Sequence, residues 1–187
     1  MMFRSLLIAA AMLLALAPAQ AADYRAYAEA IAAAPPEGVV FRDDLEAVLD
    51  ARASVYRKKK RKPSVESSPL LEIAARAQAL DMMANGKSGH RSRQGDGFQT
   101  RFAAFRPDPA MLYHAGENTA SDRRRGAADE AKALRLFDLW IESSGHRANL
   151  LNDRFDYVSS GVVQRGTELW AVQIFWSRPI KSNMLFQ

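Results

Sequence analysis

Apolar residues recur along this chain with a helical period over most of its length and with a period of two near its end. Tyr24, Tyr27, Ala28 and Ile31 stand at i, i+3, i+4, i+7 in an Ala-rich stretch that Pro35-Pro36 ends. That spacing predicts a short amphipathic helix and then a linker. Leu45, Val48, Leu49, Arg52, Val55 and Tyr56 mark a second helix, which Asp43-Asp44 can cap. Ser68-Pro69 opens a third with a hydroxyl N-cap, a first-turn proline and Glu72 against the helix dipole. Its apolar positions are Leu70, Ile73, Ala77, Leu80 and Ala84, and Asn85-Gly86 stops it. A fourth helix spans 127–142, with Ala127, Ala131, Leu134, Phe137 and Ile141 on one face and Gly145 as its C-cap; His146 to Leu151 reads as a following helical turn. The period then changes to two. Tyr157–Gln164 and Glu168–Trp176, joined through Arg165-Gly166-Thr167, predict a β-hairpin. In its second strand Trp170, Val172, Ile174 and Trp176 form one apolar face, and Leu169, Ala171 and Phe175 the other, so the strand should be covered on both sides. Residues 87–126, rich in Gly, Arg, Ser and Pro, read mainly as loop, and a loop that long in a compact domain is usually functional or mobile. Helices beside a small antiparallel sheet give an α+β layered domain.

The first residues stand apart from this pattern. Arg4, the apolar run Leu6 to Ala17 and the small residues of Ala19-Gln20-Ala21 form a secretory signal peptide over 1–21, since the run is too short to span a bilayer. Its removal takes away Arg4 and lowers the net charge from +5 to +4. The expected division is then an extension and linker over 22–41, the domain over 42–178 and a tail over 179–187. The chain has no Cys, which excludes disulfides, thiol catalysis and Cys-ligated metals together. An exported chain without Cys fits a bacterial periplasmic or extracellular protein, and no later segment is apolar enough to cross a membrane. Arg57, Lys58, Lys59, Lys60, Arg61 and Lys62 form a run of like charge closed by Pro63. Such a run reads as a solvated loop, with an anionic surface as the weaker alternative. Arg123-Arg124-Arg125 is a second basic patch, and the two would favour an anionic partner if they faced the same side. Export makes a nuclear signal irrelevant, and nucleic acid is not an expected partner.

Chemistry is confined to few residues. The three histidines are His90, His114 and His146, and the chain has neither an HExxH pair nor a GxSxG elbow. Three clusters stand out in the middle: Gly89-His90-Arg91, Gly116-Glu117-Asn118, and Trp140 through Asn149 (WIESSGHRAN). An Ala-rich helix leads into Gly-His, then an Arg, then AGEN, then a helix ending in SSGHRANLL, then an aromatic strand. In that order the chain resembles the CAP superfamily (cysteine-rich secretory, antigen-five and pathogenesis-related proteins), or SCP domain, in its cysteine-free bacterial form, over about Leu45 to Trp176. The resemblance implies an α-β-α sandwich with a cavity lined by two His and two acids that in some members hold a divalent metal such as zinc. On this chain the cavity positions are His90, Glu117, Ser143 and His146, with Ser143 where the second acid normally stands. Glu142 comes one residue early, about 100° round a helix. His90, His146 and Glu117 become the candidate metal ligands. Arg101, Asn118, Trp140 and Asn149 match structural motif positions. His114 has no counterpart, and Tyr113-His114 reads as an exposed loop pair.

Two classes of function remain open. No complete nucleophile–base–orienter set can be drawn, which favours a non-enzymatic module binding a lipid, a cell-envelope polymer or a protein. The alternative is a metal-assisted hydrolase of peptide or cell-envelope substrates using His90, Glu117 and His146. A serine nucleophile at Ser143 or Ser144, and a glycosidase built on Glu117 and Glu142, are weaker variants. The plainest role for the cluster is a hydrogen-bonded network that fixes the loops.

Overall fold

The computed structural model describes residues 20–180. The segments expected as signal peptide and tail therefore lie outside the described residues, apart from Gln20, Ala21, Pro179 and Ile180. Helix α1 is described over residues 20–33. Then follow β1 (Val39–Phe41), α2 (Asp43–Lys59), β2 (Glu66–Ser67), a 3-10 turn (Pro69–Leu71), α3 (Glu72–Asn85), α4 (Phe98–Phe105) and β3 (Ala115–Asp122). The order closes with α5 (Glu130–Glu142), α6 (Ser144–Leu150), β4 (Tyr157–Arg165) and β5 (Glu168–Trp176).

The sheet has the order β1-β4-β5-β3, antiparallel throughout except for the two-residue β2, which pairs with β4 in parallel. The hairpin β4–β5 turns at Gly166, whose φ of 57° is the left-handed conformation glycine tolerates. Its two faces separate two cores as the alternation predicted. Val163, Trp170, Val172, Ile174 and Trp176 pack under α1, α3 and α4, with Leu71, Leu80, Met82, Phe102 and Tyr24. Val158, Val162, Leu169, Ala171 and Phe175 pack under α2, α5 and α6, with Leu45, Leu49, Phe137, Trp140 and Leu150. The result is an α-β-α sandwich. α3 lies so close on β4 that a Cβ at Gly161 would meet the Arg76 backbone nitrogen at 2.3 Å.

Several elements differ from expectation, each for a physical reason. The stretch 115–122, expected within a loop, is the strand β3, paired with β5 over its whole length. Its residues AGENTASD carry no apolar alternation because its buried side chains are largely polar. The second helix begins at Asp43 behind Arg42, which makes no side-chain cap; Asp43 and Asp44 act instead as first-turn acids against the dipole. Its buried face is Leu45, Leu49, Ala53 and Tyr56, while Val55 and Arg52 face solvent. Leu70 and Ile73 are likewise exposed. α5 starts later, with Asp129 as its N-cap, and buries Ala133, Leu136, Phe137 and Trp140 while Ala127 and Ala131 are exposed. Gly145 is no C-cap: Ser143 ends α5 and caps α6, and Gly145 lies inside α6.

Arg57 does not belong to a solvated loop. It is the last-turn residue of α2, fully buried, and its guanidinium donates to the carbonyls of Pro63, Leu150 and Asn152. Lys62 pairs with Asp153 at 2.7 Å, leaving Lys58, Lys59, Lys60 and Arg61 as the exposed part of the run. This run lies by the start of β4, whereas Arg123 approaches Glu168 and Trp170 at the start of β5. Antiparallel pairing puts those two ends at opposite ends of the sheet, so the basic patches do not converge.

Candidate functional site

The sheet's edge strand β3 supplies the centre of the site. Glu117 stands opposite Ile174 of β5 and so projects on the α3 face, while Asn118, opposite Gln173, projects on the α6 face. Alternation along one strand thus sends the acid and the amide to opposite sides. Asn118 donates through Nδ2 to the His146 carbonyl at 3.2 Å, and Asn149 donates to the Glu117 carbonyl at 3.1 Å and to Asn118 Oδ1 at 3.0 Å. Two asparagines therefore stitch α6 to the edge strand, which satisfies backbone that an edge would leave unpaired. Gly116 permits this approach, because a Cβ there would lie 2.6 Å from Asn149 Oδ1. Ser143 accepts from the His146 backbone N–H at 3.4 Å as the N-cap of α6. Trp140 is fully buried in the core beside it.

On the other face, Gln78 of α3 donates to the carbonyls of Gly89 and Arg91, pinning the loop that carries His90. His90 Nδ1 then meets Glu117 Oε1 at 2.8 Å. Arg101 of α4 completes the arrangement. Its two terminal nitrogens donate to Glu117 Oε2 and Oε1 at 2.8 and 2.7 Å, and one also reaches the His90 carbonyl at 3.1 Å. This planar fork is the geometry in which guanidinium grips carboxylate. Arg101 and Glu117 have side chains 0% and 1% exposed, while His90 is 49% exposed, so a sealed ion pair supports a ring that reaches solvent. The His90 and His146 rings lie edge to face with centroids 5.8 Å apart.

Burial alone would raise the Glu117 pKa, but the Arg101 charge and the His90 and Arg101 hydrogen bonds outweigh it and hold the carboxyl below its ordinary value. Burial, reinforced by His90, lowers the His146 pKa against the opposing pull of Glu117. His146 is therefore a neutral imidazole near pH 7.

Of the expected cavity residues, His90, Glu117 and His146 come together, with Ser143 beside them as a helix cap. Glu142 is exposed at the end of α5 and makes no hydrogen bond or ion pair with them among the described contacts. His114 and Tyr113 are not an exposed pair. Both are half-buried, His114 continues the β3–β5 pairing through Ser177, and Tyr113 packs on Phe102. The role of Arg101 as the partner of Glu117 was not visible in sequence; an arginine between the Gly-His and AGEN clusters was its only signal.

A three-ligand metal set built on His90, His146 and Glu117 fits this geometry poorly. Both Glu117 oxygens are occupied by Arg101, one also by His90, and a guanidinium beside the carboxylate opposes a second cation. Among the described residues no group of three or more His, Cys, Asp or Glu is placed to hold a metal ion. Next to His90 opens a cleft of about 410 Å³ whose wall includes Met82, Lys87, Ser88, His90 and Arg91 and no carboxylate.

The model of the cysteine-rich secretory protein family, CAP, matches residues 51–175. Among solved structures, an extracellular protein containing an SCP domain from Bacillus anthracis str. Ames is 23% identical with a TM-score of 0.60, covering 73% of this chain and 41% of that one. An outer surface protein of Borrelia burgdorferi is 19% identical with a TM-score of 0.62, covering 75% of this chain and 97% of that one. A cysteine-rich secretory protein of Staphylococcus aureus subsp. aureus Mu50 is 15% identical with a TM-score of 0.52, covering 73% and 39%. The chain thus spans about two fifths of the Bacillus and Staphylococcus proteins, and at these identities the likeness shows the fold alone. No curated protein matches the chain.

Proposed function

The chain belongs to the cysteine-rich secretory protein (CAP) family, in a cysteine-free form of bacterial kind, and from that premise we propose that it is an exported, non-catalytic binding module. Its recognition surface is the cleft beside His90, and its ligand presents a negatively charged group there. Export is supported by the signal-peptide pattern of residues 1–21 and by structural neighbours that are extracellular or surface proteins. No helix among the described residues is long and apolar enough to cross a membrane.

The observation that carries this reading is the engagement of Glu117. A general base or nucleophile must reach substrate with a free lone pair in the right protonation state. Glu117 is buried, doubly gripped by Arg101 and already bonded to His90, so it acts as a fixed anchor. Ser143 is occupied as a helix cap. What faces solvent is the His90 ring flanked by Lys87 and Arg91, with the Glu117 carboxylate behind the ring paired to Arg101. That is an anion-accepting surface. A lipid headgroup or an acidic cell-envelope polymer has the matching chemistry.

The test is an NMR titration of the isotope-labelled protein with inorganic phosphate. Saturable shifts are expected at the Gly89, His90 and Arg91 amides, and Lys87→Gln/Arg91→Gln should abolish them. An absence of shifts at millimolar phosphate overturns the anionic ligand. Casein hydrolysis by the purified protein that disappears in Glu117→Gln overturns the non-catalytic reading.

A further inference from the structure

Helix α1 lies outside the stretch that the family model matches, yet it is seated on the elements that support the site. Tyr27 donates its hydroxyl to Asp81 Oδ1 of α3 at 2.5 Å. Arg25 stacks its guanidinium 4.9 Å from the Phe105 ring of α4 and donates to the Ala104 carbonyl. Between these surface contacts Tyr24 is 1% exposed, edge-on to Phe105 with centroids 6.4 Å apart. Ring packing accounts for the phenyl part of Tyr24 but not for its hydroxyl.

That hydroxyl is carried into the interior beside Arg101. Burial raises the Tyr24 pKa well above its ordinary value and keeps it neutral, with Arg101, Asp81 and Glu117 as the charges it feels. Arg101 in turn feels Tyr24. Three buried atoms of this small region, Tyr24 Oη, Arg101 Nε and Asp81 Oδ2, have no hydrogen-bond partner among the described residues. Buried polar atoms need partners. A neutral phenol both donates and accepts, so the Tyr24 oxygen is the acceptor that the neighbouring Arg101 Nε–H lacks.

We propose that Tyr24 is a positioning residue of the site: its hydroxyl, delivered by α1, fixes the Arg101 guanidinium from behind, Arg101 fixes Glu117, and Glu117 fixes the His90 ring. The N-terminal extension is then a working part of the binding domain rather than a tether. This inference rests on the proposed function only in taking His90 as part of the recognition surface.

Tyr24→Phe separates the two roles of the side chain, since the ring packing stays and only the hydroxyl goes. In the full ligand-free protein, the Arg101 Nε–H signal should move and its exchange with solvent should quicken at least about tenfold, as expected for losing a hydrogen bond to a charged group. The His90 ring signals should shift with it. Arg25→Ala, which removes an exposed contact of the same helix, should leave both sets in place. Unchanged Arg101 and His90 signals in Tyr24→Phe, with the Tyr27 ring still docked, overturn the proposal. Arg101→Lys gives the reciprocal reading: the Tyr24 ring carbon bearing the hydroxyl must shift, and if it stays where it is the proposal fails. All of these signals are read without ligand, so they keep their meaning even if phosphate fails to bind.

Discussion

Glu117 and Asp50 are both acids buried where a helical layer meets the sheet, one beside β3 and the other on α2 facing β4. Their neighbours differ. Glu117 has the Arg101 fork and the His90 ring; Asp50 has the hydroxyls of Ser67 and Ser160, each at 2.6 Å, and no bonded cation among the described residues. Glu117 is held below its ordinary pKa, because Arg101 and His90 outweigh burial. Asp50 is pushed up to about 6 by burial, which its hydroxyl donors only partly offset. Burial is common to both, so what sends their pKa values in opposite directions is the Arg101 charge and the His90 ring facing Glu117. For function, the consequence is that the site's acid is held toward its charged form, whereas burial pushes Asp50, Glu46 and Asp81 the other way.

The contrast between the two acids is most vulnerable at Arg101. Arg101→Met leaves Glu117 buried without a counter-charge and should cost about 3–5 kcal/mol, measured by urea denaturation. Adding Glu117→Leu to that variant should recover much of the loss, since it removes the stranded charge. If the double variant is no more stable than the single one, the ion pair is not what holds this region.

The next effect is in the pH profile. Asp50 has a folded pKa above its unfolded value, so its neutral form contributes stability that is fully present below about pH 4 and lost as pH rises through about 6. The unfolding free energy from urea denaturation should fall across that window by roughly 1–3 kcal/mol from this group, and Asp50→Asn should flatten the fall. Glu117 works in the opposite sense. Its folded pKa is depressed, so its contribution is present above its ordinary pKa and lost as pH falls through the folded value. Ser160→Ala removes one donor to Asp50 and should cost about 1 kcal/mol while moving the Asp50 midpoint further up, read by carboxyl carbon NMR. Smallest of all, replacing Lys58, Lys59, Lys60 and Arg61 by Ala should change stability by no more than about 0.5 kcal/mol, because these side chains face solvent.

The parts legible in the sequence were those where a hydrophobic period or an ordered motif carried the information. The β4–β5 hairpin followed from alternation, and the Gly-His, AGEN and SSGHRANLL clusters located His90, Glu117 and His146 before any geometry was known. β3 was illegible because its buried side chains include Glu117, Asn118 and Asp122, held by hydrogen bonds rather than by apolar contact. The phase of α5 was misread for a related reason. Lys132 is fully buried with its ammonium donating to the Arg124 and Thr167 carbonyls, and no hydrophobicity pattern anticipates a buried lysine. Arg57 hid inside a run of five other cations, and Tyr24 looked like one more apolar helix position. Glu117, Lys132 and Arg57 are buried because partners distant in sequence satisfy them.

Whether Glu117 is an anchor or a working acid can be read from the titration of its side-chain carboxyl, followed by carbon NMR in the full protein. A midpoint below the ordinary glutamate value is the predicted result, that of an acid clamped by Arg101 and serving as an anchor. A midpoint above that value would mean that the carboxyl is free of its arginine and available for proton transfer, and the binding-module reading would be contradicted.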